Sequence, residues 1–365
     1  MAVQTSAPQG GPAGAATGVA TEVRGISAGR IWNELRRLPI IPLFVLVFLL
    51  VIPAIFADIL SPHDSTIGDL DRALEPPGWV QDRETSQTVV QRVRDKNPNE
   101  ISINNARRNL DNSVARLVDA NGNGEVDLGE TVVRTEKGGS WEYPFGTDKQ
   151  GRDVLSRMMH GARISLAVSC LAILLGGILG TGLGMVAAYR GGLLDAILMR
   201  IVDIKLAFPS ILLALTLVVA IGSGFSTVII VIALLLWARY ARVIRGEALA
   251  IRERDFIDRA RVAGASNLRI MMRHIFPNVF NTVIVLATLE VGHVIILEAT
   301  LSFLGAGIPR PNPAWGLMAA DGREVITSSY WIFMFPCLAI VLTVLSMNLL
   351  GDWLRDRLDP KLRNV

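Results

Sequence analysis

The chain has 365 residues, of which 51% are hydrophobic and 19% charged, and its formal net charge is +3. With only two cysteines and a mean hydropathy of +0.41, it is neither a disulfide scaffold, nor a disordered chain, nor an ordinary soluble enzyme. A bilayer core about 30 Å thick takes roughly 20 apolar residues per helix, and this sequence holds several such runs.

The first 30 residues are rich in Gly, Ala, Ser and Thr, and residues 1–37 read as a flexible cytoplasmic tail. Gly25, Ser27 and Gly29 fit a G-x-S-x-G pattern. No strand precedes it and no helix-forming run follows, so the match is taken as chance. Residues 38–60 form the first predicted span. The run is too long for the apolar part of a signal peptide, and no small-x-small cleavage site follows it.

Residues 61–160 differ in character. They carry 13 Lys and Arg against 17 Asp and Glu, with polar clusters such as Lys96-Asn97-Pro98-Asn99. The stretch from Asp119 to Glu130 satisfies D-x-[DN]-x-[DN]-G-x5-E in full and resembles an EF-hand calcium loop. Asp119, Asn121 and Asn123 supply side-chain oxygens there, and Glu125 a backbone carbonyl. Gly124 permits the sharp turn, Asp127 binds directly or through water, and Glu130 is placed to bind through both oxygens. The competing account is a polar, Gly-rich surface turn. A helix over 103–118 is compatible with the sequence before the loop. The stretch after it is short before Gly138-Gly139, so a solitary structural calcium loop is expected rather than a paired one.

Five further spans are predicted near 164–189, 194–221, 225–243, 279–304 and 330–353. Gly176, Gly180 and Gly184 form a stripe in span 2 that permits close helix approach. Pro209 in span 3 and Pro336 in span 6 are candidate kinks. Asp195, Arg200, Asp203 and Lys205 crowd one end of span 3 and are expected to pair or to snorkel. In span 5, Glu290, His293 and Glu298 are ionisable groups at membrane depth. Such groups cost about 2.5–3.5 kcal/mol on insertion scales and therefore face protein or water. Eight residues apart, the two glutamates share roughly one helical face. They either line a translocation path or hold a neighbouring helix.

Arginines cluster before span 1, between spans 4 and 5 and after span 6. By the positive-inside rule these segments and both termini are cytoplasmic, and 61–160 is an extracytoplasmic insert. No G-x-x-x-x-G-K-[ST] and no H-E-x-x-H occurs, and nothing pairs a nucleophile with a base. The chain is therefore not expected to hydrolyse nucleotide itself, and its membrane part is expected to bind no cofactor.

The segment 246–278 is the most informative. Leu249, Phe256 and Ala260 fall on one helical face. Gly264 suits the left-handed position that ends a helix, and Ser266 suits the N-cap of the next. Leu268, Met271, Met272 and Ile275 then recur at helical spacing. The expected result is a helix–turn–helix that lies on lipid headgroups or inserts into a partner's groove.

Asp258-Arg259-Ala260, Gly264 and Phe276-Pro277 match the spacing of the EAA loop of ABC importer permeases. Arg269-Ile270 and His274-Ile275 extend the fit. Three other blocks resemble the second, C-type permease of the dipeptide/oligopeptide/nickel subfamily. These are Phe145-Gly146-Thr147-Asp148 with Gly151-Arg152-Asp153-Val154-Leu155-Ser156-Arg157, Leu301-Ser302-Phe303-Leu304-Gly305, and Asn348-Leu349-Leu350-Gly351-Asp352 with Leu354-Arg355-Asp356. The likeness covers about residues 30–60 and 143–363. Asp258 stands where the family usually has Glu, and Arg259 where it usually has Ala.

The resemblance implies an all-α polytopic membrane protein of the type I ABC importer permease fold, with about six transmembrane helices and the extracytoplasmic insert between spans 1 and 2. Residues 161–365 would be its five-span core. It implies a bacterial or archaeal cytoplasmic membrane and a cargo of di- or oligopeptides. Nickel and oligosaccharides are the alternatives within the subfamily. The implied partners are a second permease in a heterodimer, two ATPase subunits carrying ATP and Mg2+, an extracytoplasmic solute-binding protein and membrane lipid; nucleic acid is not among them. A calcium-responsive sensor or scaffold without transport is the competing class. It is favoured by the insert and disfavoured by the EAA-like loop.

Overall fold

The computed structural model describes residues 39–91, 99–111, 115–119 and 125–358. The tail with its Gly25-x-Ser27-x-Gly29 pattern lies outside them, as do Asn121 and Asn123 of the calcium-like loop. The long helices are α1 (Ile40–Leu60), α3 (Val154–Arg190), α6 (Phe225–Arg252), α8 (Asn267–Phe303) and α10 (Trp331–Leu358). Each is apolar and long enough to cross a bilayer. A further apolar pair, α4 (Gly192–Ala207) and α5 (Ser210–Ile221), meets at 94° and forms either a sixth, broken span or a re-entrant loop. Pro209 sits in that break, where its missing N–H and fixed φ interrupt the helix. Pro336, in contrast, lies inside the continuous α10.

Two prolines act differently. A π-turn over Leu46–Val51 precedes Pro53 in α1, and another over Met271–Ile275 precedes Pro277 in α8. A helical proline clashes with the carbonyl four residues back, which here is that of Leu49 or Arg273. The wide turn moves that carbonyl aside and lets the helix continue.

The bundle is centred on α3 and α6, which make the most extensive helix contact. A Cβ on Gly176, Gly180 or Gly184 would lie 2.8, 2.3 or 2.6 Å from the carbonyl oxygens of Ala233, Trp237 and Ala241. The glycine stripe is therefore a packing surface, as its spacing predicts. Two short helices accompany the bundle: α7 (Asp255–Val262) at one end, and α9 (Trp315–Arg323), which packs between α8 and α10.

The insert holds a sheet, so the all-α description applies to the spans alone. Strands β1 (Arg83–Val90), β2 (Glu100–Ser102), β3 (Ala115–Val118) and β4 (Thr131–Glu136) lie in the order β2-β1-β4-β3. β1 pairs parallel with β2 and antiparallel with β4, and β3 pairs antiparallel with β4. Helix α2 (Ile103–Asp111) ends before β3, so a helix does not span 103–118. Val89, Ile101, Ala106, Val126 and Val132 form a small separate core. β-branched residues dominate the central strands, and their alternation favours a pleated surface over a helix.

The flanks of the insert pack back on themselves and on the start of α3. Asp69 N–H donates to Gly151 O at 3.2 Å, and Thr147 N–H to Glu75 O at 2.9 Å. Asp153 caps α3 by accepting from the N–H groups of Leu155 and Ser156 at 3.2 and 3.0 Å. Arg157 is fully buried and donates to Ser65 O at 3.2 Å, beside the Asp148–Arg152 ion pair of 2.7 Å. The Gly151–Arg157 block thus clamps the connector to the first turn of α3.

Candidate functional site

The site is the helix–turn–helix between α6 and α8. α6 runs on to Arg252, so Leu249 belongs to that helix and not to the next one. α7 then ends in a Schellman turn. Gly264 has φ +78°, its N–H donates to Arg261 O, and the N–H of Ala265 donates to Ala260 O. A left-handed residue is required there, which is why glycine is found. Ser266 caps α8, its hydroxyl accepting from Arg269 N–H at 3.4 Å.

The inner face of the site is Ile257, Ile270 and Ile275, all fully buried against Met185, Ile244 and Ile251. Helical spacing alone points to Leu268, Met271, Met272 and Ile275. Of these, Leu268 and Met272 are exposed, at 67% and 53%. The π-turn is the cause. Residues five apart diverge by about 140° on an α-helix, and the wider turn brings Ile270 and Ile275 back to one face.

Val262, 91% exposed, joins Leu268 and Met272 on the outside. Arg259, Arg269 and Arg273 are exposed around them. Asp258 bonds Arg261 at 2.8 Å, and Ala260 and Phe276 pack against the inner core. Phe276 also meets Phe280 at 5.6 Å between ring centroids. Tyr189 OH donates to Asn267 Oδ1 at 2.9 Å, and Arg252 donates to Ala188 O at 2.7 Å. The motif is held to the ends of α3 and α6 while presenting a basic, partly apolar surface.

The three ionisable residues of α8 are not brought together. Glu290 is buried and accepts from Arg239 Nη1 on α6 at 2.7 Å. Glu298 is buried and accepts from Ser302 Oγ one turn on at 2.7 Å. His293 is exposed on another face. Arg239 did not stand out in the sequence, since one arginine near an apolar run reads as a flank. Ser302 also lines a cavity of about 440 Å3 with Asp148, Arg152, Arg310 and Asp321. The block Leu301–Gly305 is a second Schellman stop, with Gly305 at φ +80°. On α4, Asp195 pairs with Arg245 at 2.6 Å, Asp203 pairs with Arg242, and Lys205 donates to Leu235 O.

The calcium-like loop joins β3 to β4, and Val118 and Thr131 at its two ends are paired across the ladder. Val126 is buried in the sheet core, and Glu130 is buried and accepts from Asp127 N–H at 3.0 Å. The flanking elements are strands, not the two helices of an EF-hand. Among the described residues no group of three or more His, Cys, Asp or Glu converges as a metal site.

A family model described as "binding-protein-dependent transport system inner membrane component" matches residues 180–364, about half the chain and the whole of this site. The chain belongs to that family. It is a membrane permease component, as its resemblance to ABC importer permeases implies, and the expected helical permease fold is borne out for the spans, while the insert holds a sheet. Several relatives agree. The chain is 45% identical over 223 residues to a putative peptide transport system permease protein of Brucella suis biovar 1 (strain 1330), covering 61% of this chain and 75% of that one. It is 45% identical over 226 residues to the glutathione transport system permease protein GsiD of Escherichia coli O157:H7, covering 62% and 75%. Among solved structures, the inward-facing methionine ABC transporter MetNI matches with a TM-score of 0.45 and 18% identity, covering 56% of this chain and 96% of that one.

Proposed function

We propose that the chain is the peptide-conducting permease of an ATP-driven importer, working with two ATPase subunits, a second permease and an external solute-binding protein. The observation that carries this is the outer surface of the α7–α8 turn. Val262, Leu268 and Met272 are exposed beside the exposed Arg259, Arg269 and Arg273, while Ile257, Ile270 and Ile275 anchor the motif from beneath. A rigid knob of this kind suits insertion into a partner's groove. Asp258, Arg259, Ala260, Gly264, Phe276 and Pro277 are its coupling residues. ATP-driven closure of the partners moves the knob and switches the path between outward and inward access. Both termini and the knob are cytoplasmic, and the sheet of the insert faces outward. Peptide cargo is supported by the names of the relatives; nickel or an oligosaccharide is the alternative. Deleting 258–264 is expected to abolish co-purification with the ATPase subunits while the chain still inserts. An intact complex would refute the coupling role.

A second element concerns the insert. The loop from Asp119 to Glu130 would hold one Ca2+ through Asp119, Asn121, Asn123, Glu125, Asp127 and Glu130. Support comes from the complete pattern, from the inward-packed Val126, and from strand pairing that closes both ends of the loop. Millimolar calcium is expected to raise the thermal stability of the full chain, and Asp119→Ala to remove the effect.

A further inference from the structure

A cavity of about 530 Å3 opens where the end of α6, the start of α8 and the end of α10 meet. Its size falls within the roughly 300–1,000 Å3 of small-molecule sites. Glu247, Arg254, Asn278, Asn281, Thr282 and Arg355 supply its polar wall, and the rest is aliphatic. Neighbouring arginines are already engaged: Arg245 with Asp195 at 2.6 Å, and Arg252 with Ala188 O at 2.7 Å. Among the described residues, Arg254 and Arg355 have no carboxylate partner. Among the described residues Glu247 has no cation within ion-pair distance, and its Oε2 is buried without a hydrogen bond. Opposite charges in one cavity therefore remain apart.

We infer that this cavity binds a small zwitterion, its ammonium at Glu247 and its anionic end at Arg254 and Arg355. Two sources share that chemistry: a short peptide with free termini, and an aminophospholipid headgroup. The cavity lies at the same end of the bundle as α7. Under the proposed orientation, a peptide bound there has already crossed, so this is an exit-side site. The peptide source rests on the peptide-importer reading; the headgroup source does not.

The test uses the full chain in nanodiscs, with Cys170 and Cys337 replaced by Ala. Asn281→Cys is the maleimide reporter. Val262→Cys, an exposed position that does not line the cavity, is the control. In phosphatidylglycerol discs, millimolar Ala-Ala is expected to slow labelling at 281 by about threefold, as for a ligand near twice its dissociation constant. Labelling at 262 should not change. N-acetyl-Ala-Ala-amide, which lacks both charges, should give no protection, and Glu247→Gln or Arg355→Gln should each remove it. Protection by phosphatidylethanolamine discs without peptide would assign the site to a headgroup. If neither zwitterion protects, or the blocked peptide protects equally, the inference is overturned. Uptake of Ala-Ala by the assembled transporter without protection would overturn the site alone; protection without uptake would overturn the transport reading alone.

Discussion

A Cβ placed on Gly180 would stand 2.3 Å from the carbonyl oxygen of Trp237, so α3 and α6 approach to backbone contact at this point. Gly180→Ala is expected to destabilise the protein by about 1–3 kcal/mol, the range of overpacking in a dense core. Gly182 faces open space on the same helix. Gly182→Ala is expected to be neutral or slightly stabilising. Thermal unfolding in detergent compares the two, and equal losses would contradict the packing argument.

Glu290 and Arg239 form an asymmetric pair, with side-chain exposures of 2% and 55%. Arg239→Met leaves a buried carboxylate without its cation and is expected to cost about 3–5 kcal/mol. Glu290→Gln leaves an arginine that still reaches polar surroundings, and its cost should be clearly smaller. The double variant Glu290→Leu with Arg239→Met should recover much of the loss. Stability measured across the four proteins decides the matter.

Glu298 has a hydrogen bond from Ser302 and no cation within ion-pair distance among the described residues. Glu298→Gln keeps an acceptor for the Ser302 hydroxyl. It is expected to leave the melting temperature nearly unchanged. Glu298→Leu strands that hydroxyl and should cost about 1–3 kcal/mol. A large loss in the Gln variant would mean that Glu298 carries a charge compensated elsewhere.

At Gly264 the positive φ disfavours any side chain, and a β-branched one most. Gly264→Val is expected to cost about 1–3 kcal/mol locally. Because the turn is peripheral to the bundle, the measurable consequence is weakened capture of the ATPase subunits, with insertion into the membrane preserved. Pull-down yield set against the amount of inserted chain separates the two effects.

Much of this architecture was legible in advance because hydrophobic runs, Gly-Pro punctuation and cap residues are local signals. The five long apolar helices, the Gly176–Gly184 stripe, the Pro209 break, the Ser266 cap and the Gly264 turn all follow from residues within a turn or two of each other. The buried face of the coupling motif did not follow. A proline at 277 widened the turn before it, and the apolar set changed from Leu268 and Met272 to Ile270 and Ile275. The strand after Asp111 was missed for a similar reason: Ala115–Val118 is too short for periodicity to separate strand from helix, and its pairing with β4 decides.

By itself the sequence determined that this is a multi-span membrane protein with a polar insert and a basic turn between its fourth and fifth spans. Its near-neutral total of +3 combines an acidic insert with basic bundle ends. Only the tertiary structure decided which charges meet. Arg239 finds Glu290 fifty-one positions away, His293 is exposed on another face, and Arg254 and Arg355 line one cavity. Partnership between helices depends on their rotation and crossing, and no local spacing encodes either.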